Sequence, residues 1–138
     1  YVSRMDNLQA AILNFRLKKL DQIIEKRRKN AKYYFEHINS LQVELPVEKE
    51  NEFNTYHTFV IQVNNRNKLK DYLLSKGIET AIHYPTPIHL QPAAKKLGYR
   101  FGDFPITEKQ SEKILTLPVN QSLNLSDIEI IVDAINNL

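Results

Sequence analysis

Residues 57–84 read HTFVIQVNNRNKLKDYLLSKGIETAIHY, and the order of patterns in this stretch decides the fold. Phe59, Ile61 and Val63 alternate with Thr58, Val60 and Gln62, the period of two expected of a strand with one buried face. Across residues 67–76 the period lengthens. Leu69, Tyr72 and Leu73 fall on one helical face, and Gly77 follows at the left-handed position that commonly ends a helix. Residues 79–84 then return to alternation, which predicts a third strand with Ile82 on one face and Ala81 and His83 on the other. Strand, helix and strand in this order imply an α+β unit, a small sheet covered by helices.

Working outward toward the N-terminus, residues 43–45 form a short β-like run before Pro46, and the acidic, polar residues 48–54 read as a loop. Ser3 is placed to cap a helix, with Asp6 in the first turn where the helix dipole favours negative charge. Met5, Leu8, Ile12 and Phe15, then Leu20, Ile23, Ile24, Ala31, Tyr34, Phe35 and Ile38, recur at spacings near three and four. These predict one helix reaching about residue 37. At ~1.5 Å per residue it is about 50 Å long, enough to cross between two modules or subunits, so a partner surface is expected. Toward the C-terminus, Pro85, Pro87 and Pro92 stiffen the next segment and keep it out of a ladder. Two helices follow. Thr107 with Gln110 and Ser126 with Glu129 match capping boxes. Ile114, Leu115 and Leu117 are assigned to the first helix, and Ile128, Ile131, Val132 and Ile135 to the second, with Pro118 between them. The chain thus divides into a connecting helix over residues 1–38 and an α+β domain over 39–138, with no internal repeat.

The 138 residues suffice for one domain with a sizeable core, and 42% hydrophobic against 25% charged residues excludes a disordered chain. Cysteine is absent, which removes thiolate nucleophiles, Fe–S clusters and Cys-ligated zinc. The three glycines are isolated, so no Gly-rich phosphate loop is present. No apolar run approaches the ~20 residues of a membrane span, and no signal peptide is visible, which points to a cytoplasmic protein. Net charge is only +3, weak grounds for a nucleic-acid partner. Arg16, Lys18, Lys19, Lys26, Arg27, Arg28, Lys29 and Lys32 crowd the long helix but spread around it, as a solvated face does. Tyr1 in place of Met, with a helix almost at once, suggests a piece of a longer polypeptide.

Two places carry residues suited to ligands. Ser3 and Arg4 stand at a helix start, where unpaired N–H groups and a permanently charged planar fork together make an anion site; the alternative is a surface ion pair of Arg4. Residues 82–92, IHYPTPIHLQP, place His83, Tyr84 and His89 at a strand end and on a proline-stiffened loop. His83 faces either a ligand or a structural hydrogen bond. His57, beside Tyr56, reads as a strand-end hydrogen-bonding residue. His83 and His89 lie six apart with no third ligand nearby in sequence, so no metal is expected.

The segment from Ser3 to Ala11, SRMDNLQAA, followed about seventy residues later by the run from His83 to Pro92, resembles the DegT/DnrJ/EryC1/StrS family of pyridoxal-phosphate-dependent sugar aminotransferases. Tyr56-His57, Gly77-Ile78, Leu97-Gly98-Tyr99, Asp103-Phe104-Pro105 and Leu115-Thr116-Leu117-Pro118 extend the resemblance over nearly the whole chain. It implies the small, mostly antiparallel C-terminal domain of an aspartate-aminotransferase-type (fold type I) enzyme, with its long connecting helix. It further implies a homodimer that moves an amino group from glutamate to a nucleotide-linked keto sugar, in polysaccharide or glycoconjugate synthesis. The catalytic lysine would lie upstream, so none of the lysines here is catalytic and the piece alone is inactive. By the same resemblance, Ser3 and Arg4 reach toward the cofactor phosphate of the other subunit, and His83 and Tyr84 line the substrate side. Val2 stands where the family commonly has Asn, whose amide also contacts that phosphate. A sugar dehydratase of the same family, or a non-catalytic module binding nucleic acid or protein, are the rival readings.

Overall fold

The alternation of Phe59, Ile61 and Val63 is realised as the middle strand of a three-stranded antiparallel sheet in a computed structural model that describes residues 4–138. This strand, β2 (Phe59–Val63), follows α1 (Asn7–Leu17), α2 (Leu20–His37) and β1 (Val43–Glu44); α3 (Arg66–Ser75), α4 (Pro105–Lys113), β3 (Ile114–Leu117) and α5 (Leu125–Asn136) come after it. Two 3-10 turns, Ile88–Leu90 and Pro92–Leu97, lie between α3 and α4. Val43 pairs with Val63 on one side of β2, and on the other Phe59 pairs with Leu117 and Ile61 with Leu115. Phe59, Ile61, Leu115 and Leu117 are buried together with Tyr34 of α2, Leu69 and Leu73 of α3, and Ile128 and Ile135 of α5. Each large aliphatic or aromatic side chain removed from water contributes about 1.5–3 kcal/mol, so this cluster outweighs any single polar contact in the chain. The fold is α+β, as expected.

Gly77 has φ +78° and closes α3 with paired bonds, Ile78 N–H to the Leu73 carbonyl and Gly77 N–H to the Leu74 carbonyl, both 2.9 Å. Ile78 and Leu73, brought together by this motif, are both buried.

Three expectations need correction. The long helix is two. It starts at Asn7, with Asp6 rather than Ser3 at the N-cap, and it breaks at Lys18 and Lys19, where the Lys19 N–H turns back to the Arg16 carbonyl. The apolar stripe steps by five from Phe15 to Leu20, about 140° around a helix of 3.6 residues per turn, so one straight rod cannot keep both halves on one face. The third strand is residues 114–117, not 79–84. A short continuous apolar run reads equally as buried helix or strand, and here pairing with β2 decides it. The 79–84 segment keeps only one bridge, Ala81 with Thr116, before Pro85 ends any ladder. Finally, the capping boxes fall elsewhere. Asn124 accepts from the Asp127 N–H (3.0 Å) and Asp127 from the Asn124 N–H (2.9 Å), two residues ahead of the Ser126 and Glu129 pair. Thr107 lies inside α4, which begins with Pro105 after Phe104 at its N-cap.

Among the described residues no helix is long and apolar enough to cross a membrane.

Candidate functional site

The single bridge between Ala81 and Thr116 sets the site. It brings the end of the 77–84 segment against β3, so that the His83 Nδ1 lies 3.0 Å from the Thr116 hydroxyl. Ile82, the neighbour on the opposite face, packs on the core. With Nδ1 occupied, Nε2 is the ring nitrogen left for a ligand, as donor or acceptor according to the tautomer. Tyr84 follows across a cis peptide, its ring edge-on to His83 with centroids 5.3 Å apart, and it is 68% exposed. Both side chains line an open cleft of about 990 Å³ between residues 76–84 and α5, whose wall also holds His57, Thr58 and Thr80. The Thr80 hydroxyl is buried there without a hydrogen-bond partner. Hydroxyls, imidazoles and a phenol on one wall are the donor and acceptor set that a polyhydroxylated ligand needs.

Arg4 does not line this cleft; it is exposed, ahead of α1. Ser3, and Val2 before it, lie outside the described residues. His83 and His89 are not brought together, since His83 meets Thr116 while the His89 Nε2 lies 2.9 Å from Glu108. Among the described residues no three His, Asp or Glu side chains gather as metal ligands would.

The basic helix turns inward at two positions. Arg27 Nη1 donates to the carbonyls of Tyr56 (3.3 Å) and His57 (2.9 Å), while its Nε donates to Gln121 (3.2 Å). That grip holds the turn entering β2, with Tyr56 at φ +47°, and presents His57 to the cleft. Arg28 donates to Glu48 at 2.7 Å and to the Asn54 carbonyl. Glu48 also accepts from the Asn54 N–H and the Tyr56 hydroxyl, each at 2.7 Å. The Arg28, Asn54 and Tyr56 bonds hold its carboxyl down to about 2 against burial, and burial with the Glu48 bond pushes the Tyr56 phenol up to about 12. The polar loop after β1 is thereby clasped onto α2.

Sequence reasoning missed Glu108. Its side chain is buried on the first turns of α4, where it accepts from His89 and from the N–H groups of Gly102 (2.9 Å to each oxygen) and Phe104 (3.3 Å). Burial alone would raise its pKa; the bonds from His89, Gly102 and Phe104 outweigh it and hold the carboxylate below its ordinary range. The available signal was an acid in the first turn after Pro105, which suits the helix dipole, but its partner nineteen residues away is invisible to local pattern.

A model of the DegT/DnrJ/EryC1/StrS aminotransferase family matches residues 1–136, and the chain belongs to that family. It is 37% identical over 134 residues to a dTDP-3-amino-3,6-dideoxy-alpha-D-galactopyranose transaminase of Aneurinibacillus thermoaerophilus, covering 97% of this chain and 36% of that protein. It is 35% identical to a pleiotropic regulatory protein of Geobacillus stearothermophilus, over 98% of this chain and 37% of that one. The solved structure of DesV from S. venezuelae, in complex with a ketimine intermediate, superposes with a TM-score of 0.93 at 31% identity, over 97% of this chain and 36% of that chain. The chain therefore spans little more than a third of the length of these relatives.

Toward a phosphate-bearing cofactor Arg4 offers an exposed guanidinium just ahead of α1, while α1 itself opens behind Asp6, an acid that repels phosphate from its N–H groups. This donor set fits an auxiliary grip on a phosphate, not a whole cofactor pocket.

Proposed function

We propose that this chain is the C-terminal part of a pyridoxal-phosphate-dependent aminotransferase that moves an amino group from glutamate to a nucleotide-linked keto sugar, as a cytoplasmic homodimer. The observation that carries the reading is the superposition on DesV over nearly the whole chain at 31% identity; the dTDP-sugar transaminase relative supports the substrate class. Pyridoxal phosphate, when bound, would carry the amino group between donor and acceptor. Residues 1–38 serve as the connecting segment to the small domain of residues 39–138, with α2 of that segment packed into the domain's core, and the rest of the enzyme holds the cofactor and its lysine.

The roles assigned to this chain follow from its chemistry. Arg4, with Ser3, adds positive charge and hydrogen bonds to the cofactor phosphate of the partner subunit. His83, fixed at Nδ1 by Thr116, offers Nε2 to a sugar hydroxyl or to a proton in transit, and Tyr84 packs against the sugar. Ordering a ring nitrogen before substrate arrives lowers the entropic cost of meeting it.

The test uses the full-length protein. Glutamate should shift its visible absorption, and a keto-sugar nucleotide should reverse the shift; a spectrum indifferent to every amino donor refutes transamination. His83→Ala should slow the sugar half-reaction by about 10²-fold or more while the cofactor is retained.

A further inference from the structure

The loop beyond Tyr84 is not held by the sheet. Pro85 and Pro87 fix φ at two of its positions, and the next firm anchor is His89, whose ring is almost wholly buried against Glu108. Phe104 lies against the His89 ring at 4.7 Å, and Tyr99 packs edge-on to Phe104 at 5.1 Å. Glu108 is 5% exposed, and every side-chain bond it accepts comes from residues 89–104. A charged side chain is rarely buried unless fully paired, and here one carboxylate ties the proline loop, the turn at Gly102 and the start of α4 into one body. Gly102 makes its turn at φ +97°, which points its N–H at the carboxylate and is costly for any residue with a Cβ. His83 is held independently, by Thr116 of β3.

We propose that Glu108 is a positioning residue for the substrate side of the cleft: through His89 and the stiff segment 85–88 it fixes Tyr84 where the nucleotide-linked sugar is met. This rests on the function proposed above. Because Thr116 serves His83 separately, loss of Glu108 shifts the Tyr84 wall and leaves the His83 ring in place.

Glu108→Gln and His89→Gln, made in the full-length protein, test this. Each should raise KM for the keto-sugar nucleotide by about tenfold or more, with the rate of the spectral change on adding glutamate unaltered. The double variant should be no worse than the more severe single, since both cut one link. A readout independent of turnover is trypsin cleavage after Lys95, Lys96 and Arg100, which should quicken by about tenfold in Glu108→Gln while cleavage after Lys68 and Lys70 in α3 does not change. Unchanged cleavage at the loop overturns the positioning claim. So does faster cleavage with an unchanged KM, or an equal loss in both half-reactions, which would mark a purely structural residue. A wild-type protein that responds to no amino donor instead refutes the function itself, and with it the assignment of the sugar as what Tyr84 meets.

Discussion

Two helices read from the same apolar spacing meet opposite fates. In α2, Ala31 and Tyr34 are completely buried, and the Tyr34 hydroxyl donates to the Pro118 carbonyl at 2.6 Å. In α1 nothing is buried, and Leu8, Ile12, Phe15 and Leu17 are each about half exposed or more. The difference teaches that a periodic apolar stripe says a face is made for contact, but not whether the contacting surface belongs to the same domain. In α2 the stripe is matched by Phe59 and by α5; in α1 it is left largely uncovered, with only Leu13 and Leu17 bordering an open groove beside Leu20, Ile23 and Ile24 of α2.

The contrast is open to measurement on this chain. The largest effect should come from the α2 side, where Phe59→Ala removes a fully buried ring and should cost about 3–5 kcal/mol in urea denaturation. A cost below about 1 kcal/mol would mean that the core is loosely packed and the contrast false. An intermediate effect is expected where α2 clasps the polar loop. The Glu48 carboxyl is lowered from 4.5 to about 2, so its contribution is fully present above about 4.5 and lost as pH falls from there toward 2. Glu48→Gln should flatten the stability profile across that acid window and leave its shape unchanged between pH 6 and 8. The smallest effect belongs to α1: Ile12→Ser should change stability by no more than about 0.5 kcal/mol. A loss several times larger would show that α1 is packed after all.

What was legible in the residues follows the range of the interaction that decides each feature. The strand and the stop at Gly77 depend on neighbours two to six residues away; the stop stands as expected, and the strand expected over residues 57–63 forms as Phe59–Val63, two residues later. The third strand does not, because Ile114 to Leu117 carries no alternation and becomes a strand only by pairing with residues more than fifty positions earlier. Thr116 was hidden for the same reason, buried in the middle of that run yet supplying the hydroxyl that meets His83. Alternation correctly set His83 opposite Ile82, but it could not name the partner. Arg27 and Glu108 look like surface charges locally, and only the tertiary fold turns them inward.

The narrow sheet has a consequence for how the polypeptide behaves in crowded solution. One edge is only Val43 and Glu44, cut short before Pro46, and the other is interrupted by the Ala81 bridge and terminated by Pro118. Neither margin presents the long run of vacant amides and carbonyls on which a foreign strand could template itself. Among the described residues the sheet therefore gives fibrillar cross-β growth no ready seed in the native state.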